Sequence, residues 1–280
     1  MPEINMLGYN IFSGEKEFFA NEIHGVVCTL SPHSYIVARK DVLFQKALAA
    51  SEYILPDGIG IVLAVNLLKR KKIDKIAGFD LHEVIINALN RSKGSCFYLG
   101  STNTTLTKIS QRLEKEYADL RFGTLSPPFK DNFDEDDNIS MINTINQFNP
   151  DVLFVGMTAP KQEKWVYENR HRINARLICS IGAVFDFYSG TVKRPAEFWI
   201  NAGLEWLPRL LKEPRRLWKR TFISAPVFLW YVFLDKIQKR HVIFNESNII
   251  NTALDQQITL GLHTLSVQSL QSSPDQNSES

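Results

Sequence analysis

Four short apolar, β-rich runs alternate with longer stretches of helical periodicity up to residue 182: Gly25 to Leu30, Ser95 to Gly100, Asp151 to Met157 and Arg176 to Gly182. A chain that must pass through a helix before it can pair its next strand brings that strand in parallel to the last. The expected fold is therefore α/β, with a Rossmann-like, mostly parallel sheet and helices on both faces. Between the first two runs, Ile36, Val37, Leu43, Phe44, Ala47 and Leu48 recur at helical spacing, as do Val84, Ile85, Ala88 and Leu89 after Asp80. Both stretches read as amphipathic helices packed on the sheet. Doubly wound sheets hold ligands beyond the carboxyl ends of their strands. Chemistry is thus expected at Thr29-Leu30-Ser31, Leu99-Gly100-Ser101 and Gly156-Met157-Thr158.

From Pro195 the pattern changes to helices that carry Trp199, Trp206, Trp218 and Trp230 among many cations. The expected organisation is an α/β domain over 1–194, a basic and aromatic helical appendage over 195–245 and a disordered polar tail over 246–280. Arg209, Lys212, Arg215, Arg216, Lys219 and Arg220 stand against a single acid, Glu213, and precede an apolar run from Phe222 to Leu234. Thirteen residues of helix reach about 20 Å, short of the ~30 Å hydrocarbon core, and Pro226 interrupts them. The run reads as a segment lying in an anionic membrane surface. A core-packing helix with a solvated basic face is the alternative.

The net charge is only +2, so no global field draws the chain to nucleic acid, and anionic partners must be met by local clusters. Cys28, Cys96 and Cys179 are widely spaced in apolar surroundings and read as buried thiols in a reducing cytoplasm. Residues 1–17 lack a basic start followed by an apolar block, so the expected location is cytoplasmic, on the inner face of the membrane.

Asp57, in Leu55-Pro56-Asp57-Gly58-Ile59-Gly60, stands at a helix start, where it can cap the helix or act as a catalytic carboxylate. A dinucleotide loop is discounted there because Leu63 occupies the third glycine's place. In the segment from Gly156 to Glu163, Pro160 suits the opening of a helix whose free N–H groups can hold a diphosphate. Gln162 and Glu163 then bond a base or sugar, or else are simply exposed first-turn residues. Asp134-Glu135-Asp136-Asp137 contains a D-x-D pattern but reads as a solvated loop. His82-Glu83 lacks the second histidine of a zinc helix, since Ile86 stands in its place, and Ser180 to Gly182 is no nucleophile elbow.

Several motifs then agree in order: Thr29 with Ser31-Pro32-His33-Ser34-Tyr35, Pro56-Asp57-Gly58-Ile59-Gly60, Ala77-Gly78-Phe79-Asp80-Leu81, and Gly156 with Pro160-Lys161-Gln162-Glu163 and Trp165. They continue in Gly182, Phe185-Asp186-Phe187, Gly190, Arg194, Gly203-Leu204-Glu205-Trp206, Arg209 and Glu213-Pro214-Arg215-Arg216. Together they resemble the WecG/TagA/CpsF family, glycosyltransferase family 26, from about Asn5 to Arg220.

That resemblance implies an inverting transfer from a UDP-sugar to a polyprenyl-diphosphate-linked saccharide in cell-surface polysaccharide biosynthesis. The sugar would be N-acetylmannosamine, its uronic acid or glucose. The resemblance also implies Asp57 as the base. Thr29, Gly58, Lys75, Asp80, Gly156, Gln162, Glu163, Arg209, Arg216 and Arg220 would bind substrate, with no metal or other cofactor and with a homo-oligomer as a further partner. Lys75 replaces the family's usual arginine, keeping the charge without its bidentate geometry. Ser31 replaces a frequent asparagine, and Arg194-Pro195-Ala196 inverts the usual order. Two other classes compete: a non-catalytic sugar-nucleotide-binding scaffold, and a nicotinamide oxidoreductase that would lack the glycine fingerprint.

Overall fold

The computed structural model describes residues 2–21, 23–196, 198–199, 206–212 and 214–238. Its strands are β1 (Glu3–Met6), β2 (Tyr9–Phe12), β3 (Gly25–Leu30), β4 (Tyr53–Pro56), β5 (Ser95–Gly100), β6 (Arg121–Leu125), β7 (Val152–Gly156) and β8 (Leu177–Ser180). They form one sheet in the order β1-β2-β4-β3-β8-β7-β5-β6. All neighbours pair in parallel except β1 with β2, a hairpin turned at Leu7 and Gly8, both with positive φ. The mostly parallel sheet expected from the alternation is present, extended by this hairpin.

Helices α1 (Pro32–Ala38), α2 (Val42–Ala49), α3 (Ile59–Lys69), α6 (Glu135–Phe148) and α7 (Lys161–Asn169) bury their apolar faces in one core. The other face of the sheet is covered by α4 (Gly78–Ser92), α5 (Asn103–Glu116) and α8 (Ala183–Tyr188). β3 shows why both layers are needed: Val26, Cys28 and Leu30 enter the first core while Val27 enters the second. The three cysteines are buried and unpaired.

Three sequence expectations need correction. The periodic stretch from Ile36 to Leu48 is two helices, because the Asp41 carboxylate accepts the Phe44 N–H at 3.0 Å and starts α2 anew. The acidic run at 134–137 is the start of α6 rather than a loop: Asp134 and Asp137 close a reciprocal capping box, and Lys130 pairs with both. Pro226 does not break the apolar run: the helical path continues through it, directly after a π-helical turn over Lys219–Ser224.

Beyond the α/β domain lie α9 (Trp206–Lys212), α10 (Pro214–Trp218), a π-helical turn over Lys219–Ser224 and α11 (Ala225–Gln238). α11 has one side in the core and one exposed. One side inserts Phe228 and Val232 into the first core, with Phe228 edge-on to Tyr35 at 5.4 Å and Arg39 stacked over Tyr231 at 4.2 Å. The other side exposes Leu229, Trp230, Phe233 and Ile237, next to exposed Trp218, Phe222 and Ile223. Among the described residues no helix is long and apolar enough to cross a membrane. The expected tail over 246–280 lies outside the described residues.

Candidate active site

The carboxyl ends of β3 and β4 lie side by side, with Thr29 opposite Leu55 and Leu30 opposite Pro56. The Asp57 N–H donates to the Leu30 carbonyl at 2.9 Å, which fastens the turn to the end of β3. Gly58 follows at φ +87, a conformation a side chain would strain, and it is the N-cap of α3. Asp57 therefore stands one residue before the cap position. Half-buried, it lies in the strand-end region beside Thr29. The Ile76 N–H donates to the Pro56 carbonyl at 3.1 Å, which brings half-buried Lys75 to the same turn.

The next loops complete the edge. A Cβ on Gly60 would lie 2.6 Å from Pro32 Cγ, so the first turns of α1 and α3 touch. Ser31 caps α1 in a reciprocal box with Ser34. On the far side, Gly156 ends β7 directly against the Phe185 ring, which a Cβ would approach to 2.5 Å. Gly78, in the first turn of α4, lies against Ile181 and Val184 after β8. Asp80 is held by Arg194 at 2.5 Å, and that guanidinium also covers the Phe79 ring at 4.4 Å. Asp80 thus has a protein partner that its sequence context did not reveal.

Gln162 and Glu163 are buried, at 4% and 3% exposure, which overturns the reading of exposed first-turn residues. Gln162 Nε2 donates to Glu163 Oε1 at 2.8 Å, while Gln162 Oε1 accepts the Gly182 N–H at 3.1 Å. The pair ties the start of α7 to the loop after β8. Glu163 Oε2 has no hydrogen-bond partner among the described residues, and burial pushes its carboxyl up to about 7. It is placed to shape the loop rather than to face solvent.

The appendage reaches this edge. His33 Nδ1 and the buried Ser224 Oγ lie 2.9 Å apart, a bond spanning 191 residues of chain. Burial, and then the nearby Arg220 guanidinium, holds the His33 imidazole below its usual range. The π-helical turn that carries Arg220 packs on α1, itself in contact with the Asp57 turn. Arg209 and Arg216 lie on α9 and α10, but their side chains fall outside the described residues. His82 is buried and bonded to the Tyr98 hydroxyl at 2.7 Å, a core contact. Among the described residues no group of three His, Cys, Asp or Glu side chains could hold a metal.

A half-buried carboxylate on a turn fastened to β3, with half-buried Lys75 beside it, makes the carboxyl edge of this α/β sheet the candidate ligand site of a group-transfer enzyme. Residues 5–242 match the glycosyl transferase WecG/TagA/CpsF family, and the chain belongs to it. The match runs through the appendage, past the Arg220 limit suggested by the motifs. The chain is similar to the N-acetylglucosaminyldiphosphoundecaprenol N-acetyl-beta-D-mannosaminyltransferase of Bacillus subtilis (strain 168), 30% identical over 81% of this chain and 86% of the relative. Relatives of the same name in Bacillus spizizenii and Staphylococcus aureus (strain MW2) are 28% and 26% identical, covering 72% and 78% of this chain and 76% and 84% of their own. The protein is a glycosyltransferase of the hexose-transferring kind.

Proposed function

We propose that this enzyme transfers N-acetylmannosamine, with inversion, from its UDP conjugate to N-acetylglucosaminyl-diphosphate-polyprenol, and that Asp57 is the base. The names of the relatives supply the sugar and the acceptor. The observation that carries the chemistry is the Asp57 turn, fastened to Leu30 and flanked by Lys75 and the appendage. The acceptor hydroxyl attacks C1 on the face opposite UDP, and its proton passes to the Asp57 carboxylate. The C1–O bond to UDP breaks with its electron pair leaving on the diphosphate. Lys75 and Arg220 meet that developing charge, a role side-chain cations can fill without a metal. Thr29, Gly58 and Gly156 line the crevice, and Glu163 serves by fixing Gln162.

The exposed aromatic face of α11 and the π-turn suits a peripheral membrane position, with ring edges among acyl chains and basic residues on lipid phosphates. The lipid acceptor would then reach the crevice from the same surface. The test is a donor screen of the full chain with a short-chain synthetic N-acetylglucosaminyl-diphosphate-polyprenol. UDP release with formation of a β-linked N-acetylmannosaminyl product is the expected result. Absence of transfer from every UDP-sugar would overturn the reading in favour of a non-catalytic scaffold.

A further inference from the structure

The His33–Ser224 bond joins two parts of the molecule that the reaction needs together. His33 follows Pro32, whose ring fills the space beside Gly60 in the first turn of α3, and the Asp57 turn is bonded to the end of β3 immediately before α1. The Asp57 turn thus leads along the chain to Gly60, which lies against Pro32, and the next residue, His33, bonds to Ser224. Ser224 ends the π-helical turn that carries Arg220. Such turns hold an extra residue per repeat and persist where a side chain must be aimed rather than where stability is greatest. Exposed Phe222 and Ile223 on the same turn contribute little to its fixation, so the buried Ser224 hydroxyl gives it a polar attachment to the domain.

We propose that His33 is a positioning residue: through Ser224 it latches the π-turn to the first turn of α1 and so holds the Arg220 guanidinium at the strand-end crevice for the donor's diphosphate. The proposal rests on the functional reading above and deepens it, because it says how an appendage cation is kept in register with the Asp57 turn. His33 does not touch substrate; it acts through Arg220. A neutral imidazole suffices, since Nδ1 can accept the serine hydroxyl's hydrogen.

The test is UDP affinity by titration calorimetry on the full chain. Arg220→Ala is expected to weaken UDP about tenfold, as loss of one charge-assisted contact does. His33→Ala and Ser224→Ala should each give a comparable loss, and Ser224→Ala removes only a hydroxyl, so it remains informative if His33→Ala folds poorly. His33→Asn, whose side chain can stand in for Nδ1, should return affinity to within about threefold of the parent. The decisive arm is the Arg220→Ala background, where His33→Ala should have no further effect, because its influence passes through the missing cation. Full additivity of the two losses, or no loss in Ser224→Ala, would overturn the latch. The experiment reads affinity, not rate, so a failed base assignment at Asp57 would leave its outcome standing.

Discussion

Glu163 keeps its proton far above the usual carboxylate range because its carboxyl is buried and one of its oxygens has no partner among the described residues. The unfolded chain releases that proton near 4.5, whereas the folded chain holds it to about 7. Its contribution to stability is therefore greatest at low pH and declines as pH rises across that window, by about 3 kcal/mol in total. Glu163→Gln keeps an oxygen for the Gln162 amide and cannot ionise. Urea midpoints of the parent should fall relative to this variant as pH rises from about 4.5 to about 7, and parallel curves would contradict the assignment. Lys75 marks a different residue-scale choice. It keeps a cation beside the Asp57 turn but offers a point charge, where an arginine would give the diphosphate two parallel donors.

At the scale of elements, α11 is held by what it buries rather than by its exposed face. Phe228→Ala empties a fully buried ring site against Tyr35, and the expected cost is roughly 3 to 5 kcal/mol in chemical denaturation. A cost below about 1 kcal/mol would mean that the helix is not part of the core. How legible the elements were follows from the same physics. β3, β5, β7 and β8 stood out as continuous apolar runs because both faces of the sheet are covered. β4, only Tyr53–Pro56, and the outer strands β1, β2 and β6 are too short or too half-exposed to leave that pattern. The break between α1 and α2 was hidden because apolar periodicity continues across it and only the Asp41 side chain ends the register. At the site, the Asp57 turn was readable from Pro56, Gly58 and Gly60. The Asp80–Arg194 pair and the His33–Ser224 bond join residues more than a hundred positions apart, and no local pattern announces such contacts.

On the scale of the whole molecule, the candidate site lies at one edge of the sheet while the appendage exposes an aromatic face. Trp230 and Phe233 stack on each other at 5.8 Å and are 58% and 48% exposed, so replacing both with serine should change stability by no more than about 0.5 kcal/mol. The same double variant should lose about tenfold in sedimentation with phosphatidylglycerol vesicles, and equal sedimentation would contradict the membrane-facing assignment. The proposed transfer depends on the Asp57 carboxylate, in the turn at the carboxyl ends of β3 and β4. The most direct test is Asp57→Asn in the full chain, with UDP affinity and sugar transfer measured on the same preparation. Unchanged UDP affinity and transfer slowed at least ~100-fold are expected; transfer at the parental rate would contradict Asp57 as the base.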